Sequence, residues 1–325
     1  MRAWRVEEIS EAGQMHHREI GVPVPAQDQV LVRVEAAGLA LGDTLIVRGK
    51  YQVKPPLPFT PGSEIVGTIV RSDGGPLAIG TRIASSCQQG GFADYAVAPR
   101  AAAWAIGEDV PAGDALALRS NYPTSLFALR NAGRLRAGHT LLVHAGAGGV
   151  GSAAVQLGKL IGARVIATAG GAQKVQACLD AGADAALDYR GGDWVAQVRQ
   201  LAPGGVDVVY DPVGGETGVQ SLRCLAFGAR YLVIGFAGGT LTALPANRLL
   251  LHNASAIGVL WGEVRKRDPA LAAELTREIY GWHRDGKLAP LPGRGYDFEQ
   301  APEALAALDG RVSVGKLWLR VDQRK

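Results

Sequence analysis

His139-Thr-Leu-Leu-Val-His-Ala-Gly-Ala-Gly-Gly-Val-Gly151, running directly into Ser152-Ala-Ala-Val-Gln-Leu-Gly-Lys-Leu160, decides how the chain folds. Leu141, Leu142 and Val143 form a short apolar run, as a strand buried on both faces does. The run breaks at Gly146-Ala147-Gly148-Gly149-Val150-Gly151, a full G-x-G-x-x-G, after which Val150, Ala154, Val155 and Leu157 recur at helical spacing. Strand, glycine turn and helix thus come in the order that gives the motif its meaning. Gly146 permits the tight turn, Gly148 lets the backbone approach a pyrophosphate, and Gly151 lets helix pack close to strand. The phosphates belong at the helix N-terminus, before free N–H groups and the positive end of the dipole. In a chain with 44 glycines the motif alone decides little; its context makes it a dinucleotide site.

Downstream, strands over 164–168, 185–188, 206–210, 230–235 and 256–260 alternate with helices over 172–181, 193–201 and 215–226. That alternation is the mark of a parallel, doubly wound sheet. A helix over 269–285, a shorter one over 298–308 and a closing strand over 316–321 follow. Upstream, the runs at 30–35, 64–71, 80–84 and 92–97 read as short, closely spaced strands, which suit a compact barrel-like domain. Prolines at 55, 56, 58 and 61 mark a rigid loop, because they fix φ and remove donors. Helices over 114–118 and 124–132 lead into the glycine motif. The fold class is therefore α/β, a Rossmann-type cofactor domain plus a β-rich domain. Residues 120–265 are expected to form the cofactor domain, and residues 1–119 with 266–325 the other.

With 325 residues the chain has room for two such domains, and 47% hydrophobic with 20% charged residues argues against disorder. A net charge of +4 without a dense basic run gives no footprint for nucleic acid. Cys87, Cys178 and Cys224 are too far apart and too few for a disulfide framework or a metal knuckle. With no apolar signal segment at the start and no membrane-length apolar run, a soluble cytoplasmic protein is expected. Among the histidines, His16 and His17 read as turn residues and His144 as one that satisfies a backbone group.

An NAD site usually places Asp or Glu about 20 residues past the motif, at the end of the second strand. Here that strand ends Ala167-Thr-Ala-Gly-Gly-Ala-Gln-Lys174, with no carboxylate until Asp180. Gly170, Lys174, and Tyr189 with Arg190 are the candidates to receive a 2′-phosphate, which makes NADPH the preferred cofactor. The alternative for Lys174 is a lysine that solvates the start of a helix.

Several further stretches carry a resemblance: Ala37-Gly-Leu-Ala-Leu-Gly-Asp43, Gly49-Lys-Tyr51 onward to Glu64, Gly90-Gly-Phe-Ala-Asp-Tyr95, Asn121-Tyr-Pro-Thr-Ser125 and Tyr210-Asp-Pro-Val-Gly-Gly215. With the glycine motif between them, they make a chain that resembles the zinc-less, zeta-crystallin-like quinone oxidoreductases among the medium-chain dehydrogenases/reductases. The resemblance covers nearly the whole sequence and implies that the β-rich domain is GroES-like. Positions that match the catalytic zinc ligands of zinc-dependent relatives hold Ala40, Ser63 and Ser120, and 73–91 contains only Cys87 where those relatives carry a four-cysteine lobe. No metal is expected.

The resemblance further implies NADPH-dependent hydride transfer to a quinone or an α,β-unsaturated carbonyl. Tyr51 matches a pocket tyrosine and is a candidate proton or hydrogen-bond donor; the alternative is a loop aromatic packed on Pro55 and Pro56. Asp43 either orients the pocket or caps a short helix. Cofactor contacts carried over are Thr124, Val213 after the fourth strand, Gly235-Phe236-Ala237-Gly238 after the fifth, Leu260 and Trp261 after the sixth, and Lys316. A homodimer is implied. Two alternatives stay open: an enoyl-CoA or acrylyl-type thioester reductase, with Arg48, Lys50 and Lys54 as a basic entrance, and an NADPH-binding RNA-binding or structural protein without significant turnover.

Overall fold

The computed structural model describes residues 1–321 and divides into two compact units, Met1–Ser120 with the chain from Pro292 onward, and Asn121–Leu291. Residues 322–325 of the expected second segment of the β-rich domain lie outside the described residues.

The first unit opens with the antiparallel pair β1 (Arg2–Arg5) and β2 (His16–Glu19). His16 and His17 are thus strand residues rather than turn residues, and His17 packs edge-on against Trp4 and Phe298 at 5.7 and 5.9 Å. Next come β3 (Gln29–Gly38), the short helix α1 (Leu41–Ile46), β4 (Glu64–Ser72), β5 (Arg82–Ser86), β6 (Tyr95–Pro99) and β7 (Ala103–Ala105). In β3, Val30, Val32 and Val34 point inward while Arg33 and Glu35 face water, the period of a half-buried strand. The register shifts between Val34 and Ala36, and this bulge turns Ala36, Ala37 and Gly38 all into buried positions beside the start of α1. Helix α2 (Ala112–Leu126) follows, continuing as a π-turn over Phe127–Ala132. It replaces the two expected helices with one, because Pro123 sits inside α2 without ending it.

The second unit is built from β8 (Thr140–Val143), α3 (Gly149–Ile161), β9 (Arg164–Ala169), α4 (Ala172–Asp180), β10 (Ala185–Asp188), α5 (Trp194–Leu201), β11 (Val206–Asp211), α6 (Gly215–Ser221), β12 (Leu225–Val233), α7 (Ala246–His252), β13 (Ser255–Gly258), α8 (Trp261–Arg267) and α9 (Pro269–Arg284). Its six strands are parallel in the order β10-β9-β8-β11-β12-β13. This is the doubly wound arrangement, whose order reverses beside β8 and opens a crevice at the carboxyl ends of the strands. Helix α6 stops at Ser221, not 226, and β12 begins at Leu225 because Cys224, Leu225 and Ala229 enter the core that Trp194, Val198 and Val209 share. Helix α9 belongs to this unit, which moves the second boundary from the expected 265/266 to 291/292. The reason is polar as well as apolar: Arg130 Nη1 donates to Glu278 at 2.6 Å, and Gln156 Nε2 donates to the Ala289 carbonyl at 2.6 Å.

The chain returns to the first unit with β14 (Gly295–Asp297), α10 (Ala301–Asp309) and β15 (Trp318–Arg320), shorter than the strand expected over 316–321. The larger sheet of that unit runs β14-β15-β3-β4-β5-β7, with β6 paired to β3. Val32, Val34, Ile65, Phe92, Phe298 and Leu319 are among its fully buried core. Among the described residues no helix is long and apolar enough to cross a membrane.

Candidate functional site

The glycines of the turn after β8 have different reasons to be glycine. A Cβ on Gly146 would lie 2.8 Å from both Ala167 Cβ and Cys178 Sγ, and one on Gly151 would lie 2.1 Å from the Ala145 carbonyl oxygen. Both are packing requirements. A Cβ on Gly148 would meet only the Ala145 carbonyl oxygen, at 3.3 Å, so its outer face is open. Helix α3 starts at Gly149 and no side chain caps it. Its first-turn N–H groups therefore face that open backbone, as an anion cradle requires. Ala147 is buried and Val150 half-buried.

Residues 121–125 of α2 brace this turn. A Cβ on Gly149 would fall 2.5 Å from Asn121 Nδ2, so the asparagine lies against the turn. Tyr122 donates its hydroxyl to Gln156 of α3 at 2.8 Å. Ser125 donates to the Val150 carbonyl at 3.0 Å, which leaves it to accept from the buried Tyr210 hydroxyl at 2.9 Å. Thr124 is half-buried on the same helix.

At the end of β9, Ala169 is buried and Gly170 lies under Tyr189 and Arg190: an added Cβ would come within 2.5 Å of the tyrosine hydroxyl and 3.0 Å of Arg190 Nε. Burial first, and Arg190 second, hold the Lys174 ammonium below the usual lysine range. Two cations are thus held near one another. The nearby Asp188 is spent chiefly on backbone N–H groups. Its Oδ1 accepts the N–H of Gly171 at 3.0 Å and of Arg190 at 2.9 Å, and those two bonds lower its pKa.

The turns after β11 and β12 are tied together. Ala237 donates to the Pro212 carbonyl at 2.9 Å and Gly238 to the Val213 carbonyl at 2.7 Å. Asp211 Oδ1 accepts from Val213 N–H at 2.7 Å and Gly214 N–H at 3.0 Å, while the buried Tyr231 hydroxyl donates to its other oxygen. Asp211 lies in the stretch 210–215 that carries the resemblance, whereas its bond to Tyr231, 20 residues on, has no signal in the sequence. Phe236 packs on Gly214, where a Cβ would meet its ring at 2.8 Å. Gly235 lies two residues past the end of β12, and Leu260 is 58% exposed, whereas Trp261 is buried with its ring tilted against Phe127 at 5.8 Å.

His144 bonds side chains rather than the expected backbone group. Ser221 donates its hydroxyl to the Thr217 carbonyl at 2.7 Å, so it must accept from His144 Nε2–H at 2.7 Å. Nδ1 is then the acceptor for the Thr168 hydroxyl at 2.8 Å. The ring is fully buried against Trp194, and that burial lowers its pKa.

In the first unit a second polar centre forms at α1. Asp43 Oδ2 accepts the Ala40 N–H at 2.8 Å, capping the helix, and the carboxyl is buried. Burial, then a nearby Glu64, push Asp43 up to about 7 against the opposing Ala40 bond and Lys316. The Tyr51 ring packs over Gly42, 3.4 Å from where a Cβ would be, and burial with the Asp43 charge raises its hydroxyl. Ser120 donates to Glu64 Oε1 at 2.5 Å, and Lys316 forms an ion pair with Glu64 Oε2. Lys316 is 5% exposed and its ammonium is engaged by Glu64 within this unit. Arg48 is likewise paired, with Asp309 at 3.0 Å.

A zinc ion does not fit the residues matched to its ligands elsewhere. Ala40 has no donor, Ser63 offers only a hydroxyl, and the Ser120 hydroxyl is bonded to Glu64, whose carboxylate already holds an ammonium. The second unit, by contrast, offers what a dinucleotide needs: an open glycine backbone, an uncapped helix start and a pair of cations beside an uncharged strand end.

Residues 149–277 match the family described as zinc-binding dehydrogenase, and residues 26–108 match the alcohol dehydrogenase GroES-like domain. Quinone oxidoreductase-like protein 2 of Bos taurus is 35% identical over 303 residues, covering 91% of this chain and 86% of that protein. The quinone oxidoreductase of Homo sapiens is 31% identical over 327 residues, covering 98% of this chain and 97% of its own. The crystal structure of the quinone oxidoreductase from Thermus thermophilus, determined alone and with NADPH, is similar at a TM-score of 0.82 and 30% identity, covering 99% of this chain and 100% of that one. Matched in both units and over nearly its full length, the chain is an oxidoreductase that belongs to the quinone oxidoreductase family of medium-chain dehydrogenases/reductases.

Proposed function

We propose that this protein is an NADPH-dependent, zinc-independent reductase of quinones or α,β-unsaturated carbonyls. The observation that carries the reading is that Ser120, one of the positions matched to a zinc ligand, is bonded to Glu64, which is itself in an ion pair with Lys316. Without a Lewis acid, a simple ketone is not polarised for hydride attack, so the acceptor has to be activated already by conjugation. A quinone or an enone is.

NADPH supplies the hydride when bound. Gly146, Ala147, Gly148, Gly149, Val150 and Gly151 would hold its pyrophosphate, and Gly170, Lys174, Tyr189 and Arg190 its 2′-phosphate. Val213, the turn Gly235–Gly238, Leu260 and Thr124 would bound the nicotinamide end, and Trp261 would support Leu260 from beneath. Tyr51 orients the acceptor through its hydroxyl, which burial first and Asp43 second hold above the ordinary phenol range, so it is a hydrogen-bond donor at neutral pH.

The edge strand β13, and beside it in sequence Leu250 and Leu251 of α7, exposed at 80% and 69%, support pairing of two copies into a homodimer. Three buried cysteines, none of them in a disulfide, are consistent with a cytoplasmic setting. The test is NADPH oxidation against a quinone, a simple enone, an enoyl-CoA and a saturated ketone, with NADH as control. Turnover of the quinone or enone, with NADPH favoured and the ketone inert, is the expected result. Turnover of the ketone, or a preference for NADH, would refute it.

A further inference from the structure

Asp211 is buried at the end of β11, 1% exposed, and among the described residues no cation pairs with it. Everything bonded to its carboxylate is a donor: the N–H groups of Val213 and Gly214 on Oδ1, and the Tyr231 hydroxyl on Oδ2. Burying a carboxylate is costly unless donors satisfy it, so these three bonds together fix where it sits. Tyr231 is itself fully buried, and burial, ahead of the Asp211 charge, holds its hydroxyl far above the ordinary phenol range, so it remains a donor.

The hydroxyl reaches Asp211 because α6 puts no side chain in its way. A Cβ on Gly218 would fall 2.3 Å from Tyr231 Oη and 2.7 Å from Thr242 Oγ1. One on Gly215 would fall 2.3 Å from Thr240 Oγ1, and one on Gly214 would fall 3.0 Å from the Thr240 carbonyl oxygen. Glycine at all three positions thus lets the segment 236–242 lie directly on the start of α6. The same segment is tied to the turn that Asp211 holds, since Ala237 and Gly238 donate to the carbonyls of Pro212 and Val213. Contact therefore runs from Tyr231 through the Asp211 carboxylate to 212–214, and from there to 237–238, all within the second unit.

We infer that the Tyr231–Asp211 pair positions the nicotinamide end of NADPH. The inference rests on the cofactor reading above, in which Val213 and Gly235–Gly238 bound that end. Neither side chain touches the cofactor in this scheme; both are positioning residues that act through the two turns. The 2′-phosphate end, at Gly170, Lys174 and Tyr189, belongs to β9 and β10 on the other side of β8 and is held without the pair. Removing the tyrosine hydroxyl takes the donor from Asp211 Oδ2, and a buried acceptor left unsatisfied moves to find another, carrying the turn with it.

The first arm follows amide hydrogen exchange in the cofactor-free protein. Tyr231→Phe should speed exchange at Val213, Gly214, Ala237 and Gly238 about tenfold or more and leave Gly171 and Tyr189 unchanged. Gly218→Ala, whose methyl group displaces the tyrosine hydroxyl, should repeat that pattern. Asp211→Asn keeps an acceptor for both N–H groups and offers its amide to Tyr231 Oη, so it should stay within about threefold of wild type. Thermal melts confirm that the variants are folded. The second arm compares NADPH with 2′,5′-ADP, which carries the 2′-phosphate and no nicotinamide. Tyr231→Phe should raise the NADPH Kd about tenfold and the 2′,5′-ADP Kd less than about twofold, with Asp211→Asn close to wild type for both. Unchanged exchange in Tyr231→Phe overturns the inference. So does equal weakening of the two ligands, the mark of a general loosening of the unit. Wild type that binds neither ligand would remove the cofactor reading and the role of the pair with it, a failure distinct from the other two.

Discussion

Gly170 lies directly under the hydroxyl of Tyr189, where a methyl group would approach that oxygen to 2.5 Å and Arg190 Nε to 3.0 Å. The strand end is therefore a floor, with Tyr189, Arg190 and Lys174 around it and no carboxylate of its own. A charge-assisted hydrogen bond to a phosphate contributes about 1.5–3 kcal/mol. Lys174→Ala is expected to raise the Kd for NADPH roughly ten- to a hundredfold and to leave NADH nearly unchanged. Fluorescence titration with each cofactor checks this; equal weakening of both would mean that Lys174 does not read the 2′-phosphate.

The two ends of the glycine motif should fail differently. Gly148 has φ −78° and open space, so Gly148→Ala keeps the fold while its methyl group occupies the room a pyrophosphate needs. Gly151→Ala drives a Cβ to 2.1 Å from the Ala145 carbonyl, so the turn or the helix has to shift. Gly148→Ala is expected to melt within a few degrees of wild type and to lose most NADPH affinity. Gly151→Ala is expected to lose about 2 kcal/mol or more of stability, of the order overpacking costs. A Gly148→Ala protein that binds NADPH normally would remove the turn from the cofactor site.

The parallel sheet was legible because Leu141–Val143, the glycine run and the periodic residues of α3 are neighbours in the sequence and follow local rules. What was not legible depends on partners far along the chain. Nothing near Lys316 names Glu64, and the pair forms only because β15 returns beside β3. His144 looked like a residue for a backbone group because Ser221, its partner, lies 77 residues away. The short helices α7 and α8 are not legible for a different reason: at seven residues each, they are too brief for helical periodicity to register. Boundaries at 226 and 265 were misplaced where tertiary burial overrode local pattern, as at Leu225.

Asp43 should make the protein less stable as pH rises. Its folded pKa is raised from 3.8 to about 7, so between those values the folded chain holds a proton that the unfolded chain has released. The contribution is fully present below about pH 4 and is lost as pH rises through about 7, and it amounts to a few kcal/mol in order of magnitude. Asp43→Asn can still accept the Ala40 N–H and has no charge to bury. Urea denaturation at pH 5 and pH 8 should show Asp43→Asn gaining on wild type at the higher pH. A constant difference between the two proteins would mean that Asp43 is ionised throughout.

His144 should act with the opposite sign. Burial depresses its pKa, so below about pH 6.5 the unfolded chain binds a proton that the folded chain does not. Its contribution is complete above that value and declines as pH falls toward the depressed folded pKa. Replacing it with Phe removes the bonds to Thr168 and Ser221 and leaves the Thr168 hydroxyl without its ring acceptor. His144→Phe is expected to lose about 1–3 kcal/mol at pH 8, the cost of an unsatisfied buried group. Between pH 7 and pH 5 the same variant should lose less stability than wild type, because phenylalanine has no proton to refuse. Thermal melts across that range decide it: a variant that declines in parallel with wild type would show that His144 titrates in the fold as it does in water.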